Sequence, residues 1–137
     1  MAGYSGTPLL KKLGIKDGHR VLLRNAPADL PEELKEYART RFGNNLDVVL
    51  LFADSLAVFR AEFGRLMQVI NTNGMIWVAW PKKASGIRTD LTEKAIRDCA
   101  LATHFVDVKV CAIDDTWSGL KLVIRKELRT SFDTGTH

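Results

Sequence analysis

Uniformly apolar stretches alternate along the chain with amphipathic ones. Two runs are apolar almost throughout, 46–53 (LDVVLLFA) and 75–80 (MIWVAW), and polar or turn-forming residues bound each of them. Short runs of this kind are typical of strands that are covered on both faces, as in a parallel sheet. The shorter run 21–23 (VLL) predicts a first strand, and Pro81 should end the strand that precedes it because proline cannot donate to the ladder.

Four further segments carry apolar residues at intervals of three and four, the spacing of an amphipathic helix. Residues that commonly start a helix precede or open each segment. The predicted helices are 8–13 after Thr7, 30–42 with a capping box at Asp29 and Glu32, 56–70 after Asp54-Ser55, and 91–102 with a capping box at Asp90 and Glu93. We expect Gly14 to end the first helix in a left-handed conformation and 71–74 to end the third.

The C-terminal third of the chain has a different pattern. Residues 106–113 and 120–126 alternate apolar with polar or mixed positions around a loop, which predicts an antiparallel hairpin. Together the elements predict an α/β fold, a three-layer Rossmann-like sandwich with a mainly parallel sheet of about five strands and a C-terminal antiparallel hairpin. We expect a single domain over 1–128 and a flexible tail over 129–137, where no apolar period remains.

Composition narrows the classes of function. The chain has 137 residues, 46% of them hydrophobic, and a net charge of +4, with no run of more than two basic residues. Nucleic-acid-binding proteins usually carry a stripe of basic residues with interleaved aromatic residues. The chain therefore shows no strong signal for nucleic-acid binding. No apolar stretch approaches the ~20 residues that cross a bilayer, and the start MAGYSGTPLL is unlike a signal peptide. We therefore expect a cytoplasmic protein without a membrane segment. A homodimer is compatible with the sequence.

The candidate metal-binding and catalytic residues are few. Cys99 and Cys111 lie on apolar segments and are expected to be buried reduced thiols, since a zinc site needs more ligands than two. His19, His104 and His137 are not near a predicted Ser or Cys nucleophile with an orienting acid. The sequence therefore predicts no catalytic residue, no metal and no cofactor.

Three motifs carry a resemblance to a known family. They are AGYSGTPLLKKLGIKDGHRV at 2–21, WVAWPKKASGIRTDLTE at 77–93 and VDVKVCAIDDTWSGLKLV at 106–123. The chain up to about Arg125 resembles a family of small bacterial proteins that is classified only as a domain of unknown function. The resemblance implies a family and no activity.

A more distant similarity is to the class I methyltransferases, in which a helix precedes a strand like 75–80 and a hairpin like WSGLKLVIRK closes the sheet. Those enzymes have a glycine-rich turn after the first strand and an acidic residue after the second that holds the cofactor ribose. Here 24–27 (RNAP) replaces the glycines. Because only one predicted helix separates 21–23 from 46–53, the second and third strands of that family are expected to be missing, together with the ribose carboxylate.

Ligands of open parallel sheets bind outside the carboxyl ends of the strands. The segments expected to share this rim are 24–25, 54–55, 80–88 and 114–118. The candidate ligand-binding residues on it are Trp80, Lys82, Lys83, Ser85, Gly86, Arg88, Asp115 and Trp117. Two ammonium groups, a hydroxyl and a glycine just before a helix start could hold a phosphate or carboxylate.

Each of these residues also has a structural interpretation. Lys82 and Lys83 are alternatively solvated, or paired with Asp114 and Asp115 across the rim. The two aspartates could hold a metal or act as acid and base, although turn formation explains them better. Trp117 could stack beside Trp80 as a platform for a ring.

Three functions remain open from the sequence. The first is a non-catalytic domain that binds a small anionic ligand or a protein partner at the rim. The second is a self-associating module, if 21–23 is a free sheet edge that another copy covers. The third is a reduced methyltransferase-like enzyme.

Overall fold

A computed structural model describes residues 9–39 and 43–129. The strands are β1 (Val21–Arg24), β2 (Ala38–Arg39), β3 (Leu46–Phe52), β4 (Ile70–Pro81), β5 (Phe105–Ala112) and β6 (Trp117–Ile124). The helices are α1 (Leu9–Leu13), α2 (Glu32–Tyr37), α3 (Leu56–Leu66) and α4 (Glu93–Leu101). The strands form one sheet in the order β2-β1-β3-β4-β6-β5.

The directions of the strands are those predicted from the sequence. β2, β1, β3 and β4 are mutually parallel, whereas β6 runs antiparallel to both of its neighbours, β4 and β5. The α/β fold with a mainly parallel, Rossmann-like sheet and a C-terminal antiparallel hairpin is therefore confirmed.

Both faces of the sheet are covered, which gives the three layers. Side chains along β3 alternate between two apolar cores: Val49 and Leu51 face the core that α3 and α4 cover, and Val48, Leu50 and Phe52 face the other core, to which α1 and α2 contribute. We call these the α3/α4 face and the α1/α2 face.

The largest fully buried side chain among the described residues fixes α1 to the sheet. Trp77 is fully buried on the α1/α2 face, and its Nε1 donates a hydrogen bond to the carbonyl oxygen of Leu13 at 2.9 Å. Directly after Leu13, Gly14 adopts a φ of +79°, which confirms the predicted left-handed end of this helix. The indole thereby buries apolar area and also satisfies a helix-terminal carbonyl.

Two predicted helices are shorter than the apolar period indicated. α2 ends at Tyr37, and the next two residues form β2, which pairs with Val21 and Leu22. The prediction of a helix to residue 42 was therefore wrong in this part, and residues 40–42 lie outside the described residues. Hydrogen bonds to the backbone of β1 stabilise these two residues more than two further residues of helix would.

This short strand also corrects two inferences about the edge of the sheet. Residues 21–23 are not a free edge, because β1 has β3 on one side and β2 along its first two residues on the other. The segment between β1 and β3 also contains a strand, so the expectation that it contains none was wrong.

The second short helix is α3, which ends at Leu66 instead of continuing to residue 70. Ile70 already belongs to β4 and pairs with Leu46, so 71–74 is part of a strand. The register then jumps to Val48 opposite Met75, which leaves 71–74 as an irregular bulge on the β4 side. A bulge of this kind interrupts the apolar alternation, and the sequence therefore looked like a turn there.

The remaining sequence predictions concern thiols and the ends of the chain. Cys111 is buried, Cys99 is half-buried against the α3/α4 core, and both are free thiols. Of the expected tail, only Arg129 is described, at the end of a short helical turn over 126–129. None of the helices in 9–39 and 43–129 is both long enough and apolar enough to span a bilayer.

Two glycines distinguish tight packing from open space. A Cβ added to Gly74 would lie 2.9 Å from the backbone oxygen of Asp47, whereas one added to Gly64 in α3 meets nothing within 4 Å. We expect Gly74→Ala to lower the free energy of unfolding by about 1–3 kcal/mol. Gly64→Ala should raise it by about 0.5–1 kcal/mol through helix propensity. Urea unfolding of both variants measures this, and equal effects would contradict the packing at Gly74.

Candidate functional site

The loops after the parallel strands meet at one end of the sheet. Because β1, β3 and β4 are parallel, Asn25 and Asp54 follow their strands at the same end as Lys82. The β5–β6 loop is also there, since the backbone N–H of Lys82 donates to the oxygen of Thr116 at 2.8 Å. The structure thus places the four rim segments of the sequence together.

A cavity of about 870 Å³ opens on the α3/α4 side of this end. The residues just before α3, the end of β4, the segment that follows β4 and the start of α4 line it. Four of the eight candidate residues are in its wall, Trp80, Lys83, Gly86 and Arg88. The other four, Lys82, Ser85, Asp115 and Trp117, are not.

Ser85 shapes the loop from within. Residues Lys83–Ser85 form one turn of 3-10 helix, and Gly86 follows with a φ of +78°. The Ser85 hydroxyl donates to the oxygen of Lys82 at 2.7 Å and accepts from the N–H of Ile87 at 3.2 Å. These bonds within the loop explain Ser85 as a turn residue.

Two further side chains attach the loop to the start of α3. The hydroxyl of Thr89 donates to the backbone oxygen of Asp54 at 2.7 Å. The carboxylate of Asp90 accepts from the N–H of Leu56 at 2.8 Å, beside the Ser55 hydroxyl that accepts from Val58. Two of the donors that a helix start leaves unpaired are therefore satisfied, and the back wall of the cavity is fixed.

The sequence spacing indicated that Asp90 caps the helix that follows it. This prediction was wrong, because Asp90 binds the start of α3. The N-cap of α4 is Thr92, whose hydroxyl accepts from the N–H of Ala95 at 3.1 Å. Leu91, between the two, is buried in the α3/α4 core. Burying Leu91 turns the chain so that Asp90 faces α3 and Thr92 faces α4.

The cavity wall combines an apolar part with charges of both signs. Trp80 and Ile87 contribute apolar surface, and Ile87 is 45% exposed although it is a large aliphatic residue. Lys83 and Arg88 contribute positive charge and make no ion pair among the described residues.

The acidic side chains of the wall are mostly engaged within the protein. Asp90 binds the start of α3, and Glu93 forms an ion pair with Arg97. Arg97 also binds Asp107 on β5 at 3.0 Å, and these hydrogen bonds raise the pKa of the Arg97 guanidinium. Positive charge is thus more available to a ligand than the sum of charges in the wall indicates.

The paired interpretation of the lysines is not observed. No ion pair joins Lys82 or Lys83 to Asp114 or Asp115, all four of which lie in the described part of the chain. One carboxylate oxygen of Asp114 accepts from the N–H groups of both Thr116 and Trp117 at 2.8 Å. This is the turn-forming role expected for an aspartate at a strand end.

The two tryptophans of the rim lie on opposite faces of the sheet. Trp80 packs against the α3/α4 core. Trp117 pairs with Pro81, the next residue, and packs edge-on against Phe52 on the α1/α2 face, with 5.1 Å between ring centroids. They cannot form one stacking platform, because adjacent strand positions point to opposite faces.

An ion pair lies at the point where the order of strands reverses, between β1 and β3. Arg24 at the end of β1 binds Glu62 of α3, with Nε 2.7 Å from Oε1. Both side chains are largely buried. The crevice in which ligands of open α/β sheets usually bind is therefore occupied by side chains on the α3/α4 face, and the cavity lies one strand further, at the end of β4.

The sequence placed Ile87 on the rim without naming it as a ligand-binding candidate, and it missed Thr89, because nothing marks either as a site residue. The described histidines are remote from the cavity wall: Nδ1 of His19 accepts from the N–H of Lys16, and the ring of His104 lies against Phe105. His137 is outside the described residues. Within 9–39 and 43–129, no three His, Cys, Asp or Glu side chains are gathered as metal ligands.

The attachment of the loop through Asp90 can be tested. We expect Asp90→Ala to lower the free energy of unfolding by about 1 kcal/mol, the usual effect of losing a helix cap. The amide of Leu56 should then exchange with deuterium faster. Thr92→Ala is the matched control, since it removes the cap of α4 and should leave the Leu56 amide protected. Unchanged exchange at Leu56 in Asp90→Ala would contradict the contact.

Comparison with known proteins supports the fold and gives no family. No protein-family model matches the chain, and no curated protein matches it in sequence. Among solved structures, the chain is similar to a protein in the NADB-Rossmann superfamily from Streptococcus agalactiae, with 11% identity, a TM-score of 0.49, and 88% of this chain and 69% of that one covered.

The chain is also similar to the DhpI–SAH complex, with 10% identity, a TM-score of 0.51, and 82% of this chain and 68% of that one covered. At this identity the likeness concerns the fold alone, which is Rossmann-like. The resemblance of the motifs to a family of small bacterial proteins stays a prediction.

Proposed function

We propose that this chain is a binding domain whose cavity at the end of β4 takes a small ligand with an anionic group and an attached apolar part. The observation that carries the proposal is the position of the cavity. It lies at the carboxyl ends of parallel strands, where loops and helix starts converge in folds of this class. Its volume of about 870 Å³ is in the range of small-molecule sites.

The charges of the wall support an anionic ligand. Lys83 and Arg88 make no ion pair among the described residues, whereas Asp90 and Glu93 are engaged in protein contacts. Arginine presents a planar fork that matches a carboxylate or phosphate, and lysine adds a second donor. The carboxylate of Asp54 is left to accept from ligand hydroxyl groups.

The apolar wall supports a ring or hydrocarbon part in the same ligand. Trp80 and Ile87 offer apolar surface in the cavity wall. Burial of apolar area is worth about 25 cal/mol per Å², so even a modest ring contributes to affinity. In this proposal the chain has no catalytic residue, and it acts in the cytoplasm.

Calorimetry with aromatic carboxylates, nucleoside monophosphates and phosphorylated sugars tests the proposal. We expect heat from members that combine a ring with an anionic group. The double variant Lys83→Ala plus Arg88→Ala should weaken binding by about tenfold or more, because two charge-assisted bonds are lost. Lys82→Ala is the matched control: it removes the neighbouring lysine, which is not in the wall, and should leave affinity unchanged.

Two results would reject this ligand class. One is no heat with any member of the panel. The other is equal weakening by Lys82→Ala and by the double variant, which would mean that the general positive charge of the rim binds the anion and the cavity does not.

A second candidate is a reduced methyltransferase-like enzyme. It is favoured by the likeness of the fold to the DhpI–SAH complex and by β2, which lies beside β1. The loop after β1 argues against it. Its residues 24–27 contain no glycine, and Arg24 is held by Glu62. A Cβ at such positions keeps a backbone from approaching a cofactor closely.

We therefore expect S-adenosylmethionine to leave the melting temperature unchanged. A ligand at a hundred times its Kd stabilises the folded state by about 2.7 kcal/mol. For a domain of this size that corresponds to roughly 5–10 °C, which thermal unfolding resolves easily. A dose-dependent rise of this size would favour the methyltransferase-like function over a purely anion-binding one.

A further inference from the structure

Two lysines of the hairpin lie on the side of the sheet opposite the cavity, and a third cation of the segment after β6 acts electrostatically on one of them. Asp107 pairs with Leu122 and Val110 with Leu120, so Val108 and Lys109 both stand opposite the single residue Lys121. This bulge brings the two lysines side by side across the strands.

The third cation comes from the segment that follows β6. Nε of Arg129 donates to the backbone oxygen of Ile124 at 2.8 Å, which holds the guanidinium at the end of this strand. Arg129 and Lys121 are half-buried, and Lys109 is exposed.

Lys121 is in an unfavourable environment for a charge. Its cross-strand partner on β4 is the fully buried Trp77, so its aliphatic stem lies beside apolar surface of the α1/α2 face. Burial lowers the pKa of the Lys121 amine, and Lys109 and Arg129 lower it further. A cation that must stay charged next to two others destabilises the folded state.

No carboxylate of the described residues relieves this repulsion. The acidic residue of β5 is Asp107. It pairs with Leu122 and thus points to the α3/α4 face, where it binds Arg97 at 3.0 Å. None of the ion pairs in the described part of the chain includes Lys109, Lys121 or Arg129. An anion from outside the chain would reduce the repulsion among the three.

We propose that Lys109, Lys121 and Arg129 form a binding site for a phosphate group, free or carried by a small phosphomonoester. A phosphate dianion suits three neighbouring cations better than a single carboxylate does, because it offers more charge and more acceptor oxygens. Bulges often re-aim side chains at sites of this kind. The site is separate from the cavity, so each proposal can fail without the other.

The experiment follows the Lys121 amine by NMR in the full chain while inorganic phosphate or glycerol phosphate is added. We expect a saturable shift of the Lys121 side-chain signals and a rise in the pKa of its amine, since a bound anion stabilises the charged form. Lys109→Ala should weaken binding by about tenfold. Lys126→Ala is the matched control, because it removes an exposed lysine of the same region that does not face Lys121 across the bulge.

The source of the phosphate group follows from the order of affinities. Tighter binding of glycerol phosphate would assign the group to an ester, and tighter binding of inorganic phosphate would assign it to the free ion. Sodium chloride at equal ionic strength is the control for screening. The same shift with chloride, or no saturable shift with either phosphate compound, would overturn the proposal.

A second variant separates a binding role from a structural one. Lys121→Met keeps the length of the side chain and removes its charge, so it should abolish phosphate binding and raise the melting temperature by about 2 °C or more. A lower melting temperature would mean that Lys121 stabilises the hairpin by its charge, and would also overturn the proposal.

Discussion

The burial of β3 on both faces is the constraint from which the rest of the architecture follows. Six of its seven residues are buried, with Val48, Leu50 and Phe52 on one side and Leu46, Val49 and Leu51 on the other. Such a strand needs a strand at each edge for its backbone and a helical layer on each face for its side chains. Parallel pairing with β1 and β4 satisfies the first need and requires helical crossovers, which supply the second.

The same constraint creates the cavity and fixes its wall. Parallel strands send all their following loops to one end of the sheet, so the starts of α3 and α4 come close to each other there. Asp90 binds the N–H of Leu56 and Thr89 binds the oxygen of Asp54, so the segment between β4 and α4 is held against α3. A loop held by a buried Leu91 and two hydrogen bonds keeps its shape without a ligand, as a preformed site requires.

The sequence was informative where one local rule acted alone and misleading where two competed. Uniform apolar runs identified β3 and the core of β4, because a strand buried on both faces tolerates few polar residues. The extension of α3 to Ile70 was wrong because an apolar residue at a strand start can continue a helical period by coincidence. β2 was missed because two residues are too few to show a periodicity. They form a strand because they pair with backbone groups of β1 that would otherwise be unpaired.

The candidate site shows the same division. The end of the sheet at which it lies follows from strand order alone, and Trp80, Lys83, Gly86 and Arg88 were on the predicted rim and are in the cavity wall. Which face a rim residue occupies does not follow from order, because it changes with every step along a strand. A stacking platform of Trp80 and Trp117 was therefore open from the sequence, but the two residues are on opposite faces. Capping spacing likewise identified a helix start, but only the packing of Leu91 decides that Asp90 serves α3.

The antiparallel end of the sheet has to meet a different requirement. β5 is an edge strand, and exposed valines such as Val108 and Val110 would make a straight edge prone to pair with other chains. The bulge at Val108 and Lys109 interrupts the edge, and a lysine in it disfavours pairing further. Edge protection explains Lys109, but it does not explain Lys121, which lies on an inner strand. The position of Lys121 opposite Lys109 at the bulge therefore carries the argument for an anion at this surface.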